Sequence, residues 1–194
     1  MENLTNRNQS CGESEMNVKQ KTARASKMSK KNAVLRERYW PEVTDEQLWL
    51  RQNKTGFTTI PRCLPQIMAI IDALTKNTPA SKTYFALWCR SFDEMVIHIP
   101  HPMILAAESG FSGSRQLTTW QSRMALLNQY GFIKTAKGQT GDYEFVILLN
   151  PFMVIQNLKG TALWIPSMTT LYHALAMRAE EVGANDLDTT GETA

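Results

Sequence analysis

Between Phe111 and Thr140 the chain has no Asp or Glu, yet it carries Arg115, Arg123, Lys134 and Lys137. Ser112, Ser114, Arg115, Gln116, Thr118, Thr119, Ser122 and Arg123 crowd the first part of that stretch. Among them Leu117, Trp120, Met124 and Leu127 recur at i, i+3, i+7 and i+10, the spacing of one buried helix face. Arg115, Thr118, Thr119 and Ser122 then fall on the opposite face, with Gln116 and Arg123 on its flanks. Short donors and acceptors without an acid suit a polyanion that displays hydrogen-bonding edges. In duplex DNA an Arg can grip guanine and a Gln adenine, while Ser and Thr reach bases or phosphates. The plainer alternative is a solvated helix face. Such faces usually mix Glu with Lys, and this one has no Glu.

Other constellations are weaker. Gly110-Phe111-Ser112-Gly113-Ser114 partly resembles the G-x-S-x-G elbow of serine hydrolases, but its fifth position is Ser114 and a helix, not a strand, is expected before it. His98 and His101 are close together, but no third residue stands at a ligand's spacing, so surface or capping roles are expected and no metal site. Cys11, Cys63 and Cys89 are too few and too scattered for a disulfide framework, and Cys89, in an apolar helical run, is expected to be buried. No phosphate-binding loop occurs. The expectation is a protein without catalytic residues or cofactor, not an enzyme.

Hydrophobic residues make up 43% of the 194 residues and charged residues 20%, enough apolar content for one ordinary domain with appendages. The net charge of +3 is unevenly spread. Lys19, Lys21, Arg24, Lys27, Lys30, Lys31, Arg36 and Arg38 face a single acid, Glu37, whereas Glu180, Glu181, Asp186, Asp188 and Glu192 follow Ala179 without a base. A basic arm and an acidic tail on a near-neutral body point to a polyanionic partner. The polar start has no signal-peptide pattern and no run is long enough to span a bilayer, so a cytoplasmic location without membrane contact is expected.

The elements that must position the polar set are legible in outline. Residues 1–38 are expected to be a disordered basic arm and 39–80 a helical extension. In the latter, Thr44 opens a short helix, and a further helix starts at Pro61 or Pro65 with Ile67, Ile70, Ile71 and Leu74 at helical spacing. Over 81–151 the patterning predicts a helix from Ser81 to Arg90, a strand from Met95 to Ile99, a helix opened by Pro102 and closed by Gly110, and a helix from Ser114 to Tyr130. Two strands follow, over Phe132–Thr135 and Tyr143–Leu149, joined by a glycine-containing turn. Ser112 or Ser114 is expected to cap the Ser114–Tyr130 helix. Residues 152–182 supply two more helices and 183–194 an acidic tail.

The order helix, strand, helix, helix, strand, strand resembles the winged helix-turn-helix superfamily. The carriers are Ala106-Ala107-Glu108-Ser109-Gly110-Phe111, Trp120 through Leu127, and Gly131-Phe132-Ile133. The pattern is also similar to DNA-binding proteins of bacterial plasmids and mobile elements. The resemblance implies an α+β, mostly helical fold with flanking helices and disordered termini. It also implies double-stranded DNA as partner, a wing carrying Lys134 and Lys137, and two-fold pairing of copies through the flanking helices. Asp142 and Glu144 weigh against a strongly basic wing. The expected role is a transcriptional regulator, a repressor that acts by occlusion. Replication or partition of a mobile element and a protein-interaction adaptor are the alternatives.

Overall fold

The structure, a computed structural model, describes residues 27–187. The chain divides into two compact units after Gly56.

In the first unit residues 27–39 are helical (α1), so the expectation of an unstructured arm does not hold for 27–38; residues 1–26 lie outside the described range. The reason is local. Ala33, Leu35 and Arg36 favour helix, and no Gly or Pro interrupts the segment. Arg36 pairs with Asp45 at 2.7 Å, and the Arg38 guanidinium lies 5.3 Å from the Tyr39 ring centre. Of the helical extension expected over 39–80, the part up to Gly56 holds only two 3-10 turns, Asp45–Gln47 and Arg51–Asn53. Thr44 does open the first of them, its N–H donating to Gln47 Oε1 at 3.0 Å. Leu48, Trp49 and Leu50 are consecutive rather than periodic, so no single helix face could bury them. None of the described residues up to Gly56 is buried.

The second unit holds the core. Its elements are α2 (Leu64–Thr75), α3 (Ser81–Arg90), β1 (Val96–His98), α4 (Pro102–Glu108), α5 (Gln116–Gln129), β2 (Ile133–Ala136), β3 (Phe145–Leu148), α6 (Pro151–Leu158) and α7 (Pro166–Val182). The class is α+β and mostly helical, with one antiparallel sheet ordered β1-β3-β2. Ile97 pairs with Val146, and Val146 with Thr135, so the central strand turns Val146 and Leu148 to the core. Ile67, Ile70, Ile71 and Leu74 are buried as their spacing predicts. Asp72 ties α2 to the start of α3, accepting from Ser81 N–H at 3.0 Å and Ser81 Oγ at 2.7 Å, where free helix N–H groups need a partner. Tyr84, Leu87 and Trp88 face inward from α3. Cys89 does not: it shares the outer stripe of α3 with Lys82 and Phe85, and its thiol is exposed, against expectation.

Two Gly-Phe pairs end the helices that matter most for the site. After α4, Gly110 at φ +83° lets its N–H reach Ala107 O at 2.9 Å and Phe111 N–H reach Ala106 O at 3.1 Å. After α5, Gly131 at φ +80° does the same with Asn128 O at 3.1 Å and Leu127 O at 2.9 Å, the latter from Phe132. Both are left-handed helix caps in which the residue after glycine folds back on the last turn, a conformation that costs glycine least. Phe132, fully buried, thereby leads directly into β2.

The flanking helices are internal packing elements. On α7 the buried stripe is Met168, Leu175 and Ala179, and α7 packs against α2. Leu175, at the centre of α7, is thus buried within one chain, while Leu171 and Val182 are only half-buried. The tail begins docked rather than solvated. Gly183 closes α7, Leu187 packs against the core, and Leu187 O accepts from Gln156 Nε2 at 2.9 Å; residues 188–194 lie outside the described range.

Candidate nucleic-acid interface

The polar set centres on α5. Its inner face is anchored by Trp120, Met124 and Leu127, all fully buried, while Leu117 is only half-buried. Trp120 meets the Tyr143 ring edge-on at 5.8 Å, so the anchor of α5 also holds the hairpin between β2 and β3. Nearer its N-terminus α5 packs on α4, the arrangement set by the Gly110 cap.

On the outer face Arg115, Thr118 and Ser122 are exposed at i, i+3 and i+7. Sequence reasoning missed Gln121, Ala125 and Gln129, which are exposed on the same side and continue the row. The signal for Gln121 and Ala125 was available, since each stands three positions after a residue already chosen, and Gln129 follows Ala125 by four. The remaining expected members are less free. Thr119 is half-buried. Gln116 is half-buried and its Nε2 donates to Met103 Sδ at 3.7 Å. Arg123 is half-buried, its guanidinium over the Phe111 ring at 5.5 Å and its Nε without a hydrogen-bond partner. Arg123 thus braces the α4–α5 junction. Ser112 and Ser114 are exposed but cap nothing. The helix starts two residues later than expected, with Arg115 at the cap position and no side-chain cap bond. Gly113, at φ +82°, turns the chain first, and its carbonyl accepts from Gln116 N–H at 3.2 Å.

Glu108 and Glu144, the acids that along with Asp142 border this stretch in sequence on either side, are both held by partners. Glu108, at the end of α4, is held by Arg90 through bonds of 2.6 and 2.5 Å, which also hold its carboxyl below the usual carboxylate range. Glu144, which the sequence suggested would weaken a basic hairpin, is buried instead. Its carboxylate accepts from Thr140 N–H at 2.6 Å and Thr140 Oγ1 at 2.9 Å, and His98 Nε2 stands 3.3 Å away. The Thr140 bonds, first the backbone one and then the hydroxyl, lower its pKa, with burial opposing and His98 adding less. This lock also bears on Gly138 in the turn between the strands. A Cβ there would collide with the Glu144 carboxylate. His98 itself is mostly exposed and stacks on Phe145 at 5.0 Å, a surface role as expected.

The two hairpin lysines are not equivalent. Lys137 is exposed in the loop and faces Asp142 at 3.6 Å, a pair worth little in water. Lys134 alternates with buried Ile133 and emerges on the sheet face turned from the core, beside Val96, Phe145 and Ile147. The structure does not bring it together with the outer row of α5.

The segment 110–114 follows a helix and neither serine is bonded to a His or an acid, so it lacks the geometry of a hydrolase elbow. Among the described residues no group of three metal-ligating side chains converges, and no helix is long and apolar enough to cross a membrane. No family model, curated protein or solved structure matches the chain.

Proposed function

We propose that residues 81–151 form a winged helix-turn-helix unit that binds double-stranded DNA, with α5 in the major groove and the β2–β3 loop against the flanking backbone. The observation that carries the reading is the exposed row Arg115, Thr118, Ser122 on a helix that has no Asp or Glu of its own. A major groove admits one helix, and such a row presents hydrogen-bonding groups at its entry end, where base edges are read. Further support comes from the element order α3-β1-α4-α5-β2-β3 and the sheet order β1-β3-β2, which leave α5 exposed along one side while its other side is held by the core. Lys137 adds a contact that fixes position without reading sequence. The biological role that follows is regulation of transcription by occluding a promoter.

The test is anisotropy titration of labelled random and promoter-derived duplexes, followed by footprinting. Binding in the nanomolar to micromolar range, with protection over a promoter, supports a regulator. Protection of clustered repeats near an origin moves the role to replication. Absence of binding at low salt overturns the DNA reading.

A further inference from the structure

The outer row of α5 holds an uneven set of side chains for reading bases. Accepting the DNA-binding reading on which this step rests, we infer that this protein selects A·T base pairs in the segment facing α5, with a single G·C pair at the end near Arg115. The argument is one of inventory. Guanine is read best by Arg or Lys, which donate twice to O6 and N7; adenine by Gln or Asn, which match N6 and N7; thymine by small apolar groups against its methyl. Of the two arginines in this region, Arg123 is withdrawn. It is half-buried over Phe111 at the α4–α5 junction. Arg115 alone remains exposed, at the cap position, so a guanine contact is confined to one end of the site.

Beyond Arg115 the exposed row reads Thr118, Gln121, Ser122, Ala125. Gln121 offers the amide that pairs with adenine. Ala125 and the Thr118 methyl offer apolar contact to thymine, and no side chain in this part of the row can donate twice from a cation. Nor does the row itself contain an acid to accept from the amino group of cytosine, and Glu108 of the neighbouring helix is paired with Arg90. The row therefore has an amide for A and apolar contact for T; past its first residue its hydroxyls can meet any base, but it holds no dedicated reader of G or C.

The experiment is selection of bound sites from a random duplex library with the full chain, followed by titration of the selected site. A·T pairs filling the centre of each recognised segment, with one G·C pair at its edge, support the inference. Replacing the central adenine by 7-deazaadenine removes the N7 acceptor without changing the pair. Affinity should fall roughly 5-fold or more, the scale of one lost bidentate pair. Gln121→Ala should be insensitive to that replacement, which separates base contact from a preference for the narrow groove of A·T tracts. A G·C-rich or featureless selection from a protein that still binds duplex overturns the base preference and leaves the DNA reading standing. Equal sensitivity of the wild type and Gln121→Ala to 7-deazaadenine removes Gln121 and overturns the inference as argued. No retained duplex at all overturns the DNA reading and the preference with it.

Discussion

Replacing Trp120 by alanine removes the side chain on which the placement of α5 depends. Trp120 is fully buried, lies between Met124 and Leu117 on the inner face, and meets Tyr143 edge-on at 5.8 Å. Deleting a buried aromatic costs about 3–5 kcal/mol through lost transfer energy and the cavity left behind. One feature offsets part of this. Trp120 Nε1 is buried without a hydrogen-bond partner, and an unmet buried donor costs about 1–3 kcal/mol that alanine no longer carries. The net loss should therefore fall at the lower end, about 3 kcal/mol. For a chain of this size that lowers the melting midpoint by about 6–12 °C, at roughly 2–4 °C per kcal/mol. Trp120→Phe drops the unmet donor, keeps most of the apolar area, and should cost less than about 1.5 kcal/mol. Thermal and urea unfolding followed by circular dichroism measure both. An unchanged midpoint for alanine would mean that the two faces of α5 are inverted. Equal losses for alanine and phenylalanine would refute the assignment of the indole N–H as an unmet buried group.

Arg115→Ala should weaken specific duplex binding by about 1–3 kcal/mol and relax one base position, whereas Lys137→Ala should weaken all duplexes alike; parallel titrations of preferred and scrambled duplexes compare them. Because Asp142 faces Lys137, Asp142→Asn should tighten binding to both duplexes, and weaker binding would place the hairpin loop away from DNA. Glu144 titrates below the ordinary carboxylate value, so its bonds stabilise the fold above an unfolded pKa of about 4.3 and are lost as the pH falls through the folded value. Melting midpoints of wild type and Glu144→Gln should therefore converge as the pH falls below the unfolded value of about 4.3, and a constant gap would count against the Thr140–Glu144 lock. Substituting Lys27, Lys30 and Lys31 of α1 by Gln should flatten the dependence of log affinity on log salt by up to about 0.9 per lost contact; an identical slope would remove α1 from DNA binding.

What could be read in the sequence divides along a physical line. Periodicity is a local signal and located α2, α3 and α5, because Ile67, Ile70, Ile71 and Leu74, or Trp120, Met124 and Leu127, have to share a face whatever packs on it. The two Gly-Phe pairs were equally visible, since a glycine after an apolar run followed by Phe is the requirement of a left-handed cap. Contacts between distant positions were not. Glu144 counted against a basic hairpin until folding brought Thr140 and His98 around it, and its carboxylate fills the place a side chain at Gly138 would take. Cys89 was misplaced because an apolar neighbourhood in sequence was taken for one in space; on α3 it stands on the side opposite Tyr84 and Leu87.

The same distinction governs the candidate site. Helical spacing put Arg115 on the outer face and Arg123 on its flank, and packing separates the two further. One lies exposed at the start of α5, while the other is fixed against Phe111 where two helices meet. An arginine held by an aromatic ring on one side and by its own helix on the other has lost the freedom to pivot into a groove, but it stiffens the angle at which α5 leaves α4. The stiff junction and the free row serve one purpose. A helix can present short side chains such as Ser122 and Thr118 to base edges only if its own position is fixed, because neither side chain is long enough to compensate for a misplaced axis.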